Sequence, residues 1–256
     1  MRSRVPRIRG RKKANKRRGF DAPWREPKVL TVYEIDHEGR QRRLDGFRYY
    51  DATMGDADAA FALLAGALLS VDAGNAAEWV IVGDGAWWIW NRIDDLKAVV
   101  GFGSEVTEVV DLYHARQKLH EFANEIRSFS AAQRTRWLSR MKNLLDKGKL
   151  ELLQDEFSKY FRGCNSKVRR KIAAYFERNA DRMRYDKFRK AKLPLGSGAV
   201  ESCVRRLVNL RMKGNGIFWR LENAERLLLM RGQLLAGRWD QFVDAILWPN
   251  ELRTAS

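Results

Sequence analysis

Cysteine is almost missing from this chain: 256 residues contain two, Cys164 and Cys203. They lie far apart, form no zinc-ligand spacing and give no disulfide framework, so a reducing, cytosolic setting is expected. No run is apolar and long enough to cross a bilayer. The longest apolar-rich stretch, Ala57 to Val71, is too short and is interrupted by Gly66. The N-terminus is charged but has no apolar h-region, and no lipidation signal is present. A secretory signal and a membrane anchor are therefore not expected. Internal repeats are absent. Residues 1–18 contain no acid at all and ten Lys or Arg.

What is present is positive charge on a chain able to fold. The net charge is +17 and the sequence pI is about 10.2. A balance this basic points to a polyanion partner, most often nucleic acid. At 45% hydrophobic residues, the chain has enough apolar surface for a sizeable core. More than half of the net charge sits in the first 18 residues. Arg11, Lys12, Lys13, Arg17 and Arg18 in this arm are candidate phosphate contacts; a solvated tail is the alternative.

Downstream, Lys28 to Ile35 reads as a strand ended by the turn Asp36-His37-Glu38-Gly39, and Arg40 to Tyr50 as its hairpin partner. Asp56 to Ser70 has helical spacing. Trp79 to Asn91 holds four tryptophans and a short buried strand, Val80 to Val82, that stops at Gly83-Asp84-Gly85. The flanking glycines suit a tight exit turn that leaves the Asp84 carboxylate clear of bulk. Asn91 to Val99 reads as a short helix. Val106 to Val110 is a β-branched strand ending at Asp111, with His114 three residues on. Strands separated by helices predict an α/β layer with partly parallel strands. From Ala115 to Tyr185 the spacing is helical, with apolar stripes through Phe122, Trp137, Phe157 and Val168 to Phe176 that read as bundle core. After the break at Leu193 to Gly198, Ser197 is expected to cap a helix from Gly198 to Leu210. Leu221 to Ala236 reads as the last helix, stopped by Gly237.

Three acid-bearing places could carry chemistry: Asp84, the Asp111/His114 pair, and Glu201 in the first turns of its helix. Asp111 and His114 would share a helical face if the helix starts there. If the Glu201 helix packs on the sheet, Asp84 and Glu201 converge. Converging carboxylates are what two-metal phosphoryl transfer needs, with hard oxygen ligands holding two ions about 3.5–4 Å apart. The alternatives are structural: a turn aspartate bonded to its own backbone for Asp84, an acid favoured by the helix dipole for Glu201, and a structural histidine for His114.

Four stretches occur in order: Ala22-Pro23-Trp24-Arg25-Glu26-Pro27-Lys28, Gly83-Asp84-Gly85-Ala86 with Trp88-Ile89-Trp90-Asn91, Val110-Asp111-Leu112-Tyr113-His114-Ala115, and Gly196-Ser197-Gly198-Ala199-Val200-Glu201-Ser202. Together they resemble bacterial insertion-sequence transposases of the DDE class, in the mutator-like group, over most of the chain. The resemblance implies a ribonuclease-H-like α/β fold: a mixed sheet over 28–118, a helical insertion over 119–192, and a helical part over 193–256 carrying the last acid, after a basic arm over 1–27. It implies that Asp84 and Glu201 are catalytic and metal-holding, with Mg²⁺ or Mn²⁺ as cofactor. Asp111 and His114 resemble the auxiliary acid-x-x-His element, Asp111 being the alternative second acid.

The implied partners are DNA and a second copy or a full-length transposase, with no membrane, in a bacterial, nucleoid-associated setting. Arg205, Arg206, Arg211, Lys213 and Arg220 would meet DNA phosphates. Phe218 and Trp219 read as core, with stacking on a displaced base as the alternative. The family's first acid, in an Asp-Gly motif on the first strand, has no counterpart before Ala22. Asp21, Asp36 and Asp45-Gly46 do not stand where the pattern needs it. The expectation is thus an incomplete sheet, its first strand missing, and a truncated transposase with little or no strand transfer. The other readings are a non-catalytic, basic nucleic-acid-binding protein, and an RNA-associated one that leaves the Gly-Asp-Gly and Gly-Ser-Gly-x-x-Glu motifs unexplained.

Overall fold

The computed structural model describes residues 1–6, 19–42, 46–161 and 166–248. Arg11, Lys12, Lys13, Arg17, Arg18, Asp45 and Cys164 lie outside the described residues. The chain is mixed α/β, with helix predominating. The described strands form three separate two-stranded sheets: β1 (Val5–Pro6) with β2 (Phe20–Asp21), β3 (Lys28–Tyr33) with β4 (Arg48–Thr53), and β5 (Trp79–Gly83) with β6 (Val106–Val110). The first two are antiparallel and the third is parallel. The expected mixed sheet is therefore present as pairs, and no ribonuclease-H-like strand order is shown. No described helix is long and apolar enough to cross a membrane.

Two compact units divide the chain. One comprises Met1–Glu34, Gln41–Ala73 and Gly198–Ser256; the other comprises Ile35–Arg40 and Gly74–Ser197. In the first unit, α1 (Ala57–Leu69), α9 (Gly198–Val204) and α11 (Leu221–Leu235) pack on the β3–β4 pair. Asp56 caps α1 by accepting from the Ala59 amide. The core comprises Tyr50, Ala52, Met54, Cys203, Leu207, Val208, Met212, Ala224 and Leu228, with Met1.

The sequence places the second strand over Arg40 to Tyr50, but the observed β4 starts later and runs through Asp51. A buried aspartate argues against a strand, yet here it is satisfied locally. Asp51 accepts from the Tyr49 hydroxyl at 2.7 Å and from the Ala52 amide at 2.8 Å, and burial raises its pKa. Glu225 of α11 then fixes the strand end, accepting from Thr53 Oγ1 at 2.6 Å and from the Met54 amide at 2.7 Å. At Gly232, α11 runs so close to β4 that an added Cβ would lie 2.5 Å from the Tyr50 carbonyl oxygen.

The helix after Ser197 is not uniform. The α9 segment continues through a π-helical turn, Arg205–Asn209, into α10 (Leu210–Met212). A π turn displaces carbonyls from their usual partners. Arg231 of α11 supplies donors: Nε to Leu207 O at 2.9 Å, and Nη2 to Arg206 O. A helix not foreseen from sequence, α12 (Trp239–Leu247), follows the left-handed Gly237. Burial pushes the Cys203 thiol up to about 12, so it stays protonated at neutral pH.

The second unit holds the parallel pair and a helical cluster. Two short helices, α2 (Trp87–Trp90) and α3 (Ile93–Val100), connect β5 to β6, followed by α4 (Leu112–Asn124), α5 (Ala131–Asp146), α6 (Leu150–Ser158), α7 (Lys167–Arg178) and α8 (Tyr185–Lys190). The aromatic stripes form its core as expected. Phe122 stacks on Trp137 at 5.6 Å between ring centroids and touches Phe157 at 4.4 Å; Val168 is the exception and is exposed.

Gly232→Ala is expected to destabilise the fold by about 1–3 kcal/mol through forced displacement of β4. The readout is a lower urea midpoint at unchanged slope.

Candidate functional site

Two acids end two neighbouring parallel strands. Gly83 pairs with Val110, and the Asp111 amide donates to Gly83 O at 2.7 Å, so Asp84 and Asp111 both leave the C-terminal edge of the β5–β6 pair. In α/β layers this edge is where ligands bind.

Asp84 is exposed. Its Oδ1 accepts from the Ala86 amide at 2.9 Å, the local turn bond weighed as the structural alternative. Its Oδ2 has no partner among the described residues. The turn is fixed from beneath. Gly85 takes φ +78, and a Cβ there would meet the Tyr175 ring at 2.6 Å. The Tyr175 hydroxyl donates to the Asp84 carbonyl at 3.0 Å. On the next strand, the Tyr185 hydroxyl donates to the Val110 carbonyl at 2.8 Å. Burial raises the pKa of both tyrosines, so both remain protonated donors throughout the working range.

Asp111 is fully buried. It is the N-cap of α4: its Oδ1 accepts from the Tyr113 amide at 2.6 Å and from the His114 amide at 3.0 Å. Its Oδ2 accepts from the Ser197 amide at 2.6 Å and from the Ser197 hydroxyl. The Leu112 amide donates to Leu195 O at 2.8 Å beside it. Burial by itself would raise the carboxyl pKa, but the Ser197 hydroxyl and the three amides outweigh it and hold the pKa below the usual carboxylate range. With four donors the acid is spent as a scaffold. The Asp111–His114 link runs through a backbone amide, and Asp111 stands just outside the helix as its cap. Ser197 sends its hydroxyl to Asp111, a use that the cap assignment for the following helix did not anticipate.

Glu201 belongs to the other unit. It is exposed on α9 and has no hydrogen-bond or ion-pair partner among the described residues. Asp84 and Glu201 thus each offer the open, hard oxygen donors that Mg²⁺ or Mn²⁺ takes, whereas Asp111 has no free lone pair aimed outward. No group of three or more His, Cys, Asp or Glu side chains is drawn together among the described residues.

Of the cations expected to meet phosphates, Arg205, Arg211, Lys213 and Arg220 are exposed. Arg206 lies over the Tyr50 ring at 5.1 Å, with its Nε directed to Ser202 O at 3.4 Å. Phe218 packs edge-on against Phe20, and Trp219 donates Nε1–H to Met212 O; both are packed, as the core reading expects. The exposed aromatic rings beside the strand ends are others: Trp87, Trp88 and Tyr113. The sequence motifs include Trp88 and Tyr113, and Trp87 lies in the same tryptophan-rich stretch, but the sequence assigned none of the three a role; their signal was position, directly after each acid-bearing turn. A cleft of about 360 Å³ in the first unit, lined by Tyr49, Ser70, Gln233, Arg238 and Phe242 among others, contains none of the predicted site residues. Compared with family models, with curated proteins and with solved structures, the chain has no match.

A depressed folded-state pKa means that the unfolded chain binds the proton more readily. The Asp111 contribution is therefore complete above the unfolded value of about 3.9 and is lost as pH falls through the lower folded value. Denaturant midpoints measured against pH should fall in that acid window. Asp111→Asn should be less stable at neutral pH and show a shallower acid slope. Ser197→Ala should cost about 1.5–3 kcal/mol by removing one charge-assisted bond.

Proposed function

We propose that the chain is a DNA-binding protein of the DDE transposase class with little or no strand transfer of its own. The observation that carries this reading is the open Asp84 carboxylate at the C-terminal end of a parallel strand, in a glycine-flanked turn held by Tyr175. An antiparallel pair followed by a parallel pair is compatible with the mixed sheet of a ribonuclease-H-like domain. The charge of +17 supplies the phosphate attraction, with Arg205, Arg211 and Lys213 as exposed contacts. The open carboxylate of Asp84 would supply a hard oxygen to a divalent ion, which would neutralise charge on a scissile phosphate and its attacking oxygen. Asp111 orients the strand end and the start of α4 without touching the ion. Activity is limited because the acid standing beside Asp84 is used for capping. Among the described residues, that leaves Asp84 as the open carboxylate at this edge of the unit.

Non-catalytic DNA binding is the second reading, and the Ala86 amide on Asp84 Oδ1 favours it.

Duplex binding should weaken steeply as salt rises. Each of Arg205→Gln, Arg211→Gln and Lys213→Gln should reduce the log–log salt slope by about 1. Asp84→Ala should bind duplex roughly twofold tighter by removing a negative charge. It should also abolish any slow nicking that the wild type shows with Mn²⁺. Vigorous strand transfer by the wild type would overturn the reading of low activity. A wild type that never nicks, with Asp84→Ala changing affinity alone, would select the binder.

A further inference from the structure

Resting on the DNA-binding reading above, we propose that Trp87 and Trp88 form a stacking platform for the unpaired bases of single-stranded DNA. Trp87 is 61% exposed and Trp88 36%, whereas Trp90 on the same short helix is 8% exposed. The sequence thus sends one ring of α2 into the core and leaves two outside. Indole rings left in water are costly surface and mark contact sites when they cluster with charge.

The cation is in place. The Arg178 guanidinium lies over the Trp87 ring, 5.4 Å from its centroid. Arg178 is exposed and has no carboxylate partner among the described residues. Arg182 differs: it lies over Trp90 at 4.8 Å but is neutralised by Glu108. One face of the Trp87 ring therefore lies against a guanidinium with no carboxylate partner among the described residues, and the residue as a whole is 61% exposed. A base on the face away from Arg178 completes a guanidinium–indole–base stack, and the same guanidinium meets the strand's phosphate. Trp88, the next residue along the helix, points about 100° away and widens the aromatic surface beside Trp87.

The platform is rigid, which lowers the entropy cost of binding. Gly83 packs against Ile89 and Trp90, each within 3.3 Å of where its Cβ would stand. Arg92 Nη1 donates to Trp88 O at 3.1 Å. Upstream, the Tyr175 hydroxyl fixes the Asp84 carbonyl, and Gly85 takes a conformation that side chains resist. Tyr113, 65% exposed, follows the neighbouring strand's acid and extends the aromatic surface beyond β6. Net positive charge and sequence-tolerant rings together favour a polyanion with accessible π faces. A duplex hides those faces in its stack; a single strand does not.

The test uses the full chain and three labelled probes: oligo(dT), an abasic strand of equal length, and the corresponding duplex. Fluorescence anisotropy should show oligo(dT) bound more tightly than the abasic strand, with tryptophan emission quenched by oligo(dT) only. Trp87→Ala should weaken oligo(dT) binding by about tenfold, while abasic-strand and duplex binding stay unchanged. Trp87→Phe should retain most of the preference, which separates stacking from misfolding. Equal affinity of the wild type for oligo(dT) and the abasic strand would overturn the platform and leave the DNA-binding reading standing if duplex is still bound. Failure to bind any of the three probes would overturn both. Self-association removed by Trp87→Ala and Trp88→Ala, without a preference for bases, would assign the patch to a second copy and overturn the proposal.

Discussion

A carboxylate with no access to water needs donors, and Asp111 has four. Unpaired, a buried charge of this kind would cost several kcal/mol or would neutralise itself. Two donors are the first free amides of α4, which the helix must satisfy in any case. The other two come from Ser197, 86 residues along the chain. One side chain therefore ends a strand, starts a helix and anchors the return of the chain after four further described α-helices. The parallel pair, the helical cluster and the loop before α9 are all referred to this point.

Asp84 and Asp111 stand next to each other in register and yet have opposite fates. Asp111 runs straight into a helix, so its side chain is drawn onto amides. Asp84 runs into a left-handed glycine, so its side chain stays outside and, among the described residues, accepts only from the amide two residues on. The tyrosines explain why this difference persists. Tyr175 and Tyr185 hold the carbonyls at the two strand ends from below, and neither can lose its proton near neutrality. The edge that faces solvent is consequently stiff and carries one open acid and several exposed rings. In a strongly basic chain, that is a surface suited to a phosphate and a base at once.

Much of this scaffold could be read from residue order. The β-branched run Val106 to Val110 is a strand with those limits, and Asp56 to Ser70 is a helix with a cap at each end. The helical stripes are core because period and aromatic content agree. What failed to show was long-range. The placement of β4 depends on Asp51 being satisfied by Tyr49 and on Glu225 reaching from a helix more than 170 residues later. The role of Asp111 depends on Ser197, and no local pattern couples the two. The exposure of Trp87 and Trp88 beside buried Trp90 depends on which face of a four-residue helix meets Gly83, and periodicity cannot decide this over so short a span. The candidate acids were found by their turn chemistry; whether each is open or occupied was settled by partners elsewhere in the chain.

The π turn at Arg205–Asn209 sets a direction by chain length alone. The buried seam of this helix runs through Cys203 and Leu207, then steps to Val208 and Met212. Each half keeps ordinary helical spacing, and the two are offset by one residue. Among the described residues Glu201 makes no contact that aims it; its bearing around the helix axis is inherited from that offset. Removing one residue from the turn would swing Glu201 by about 100° relative to the downstream core. Exchanging residues within the turn, with Arg231 still holding its carbonyls, would not. At this position an insertion or deletion is a rotation, and the orientation of the acid is encoded in the count of residues rather than in their kind.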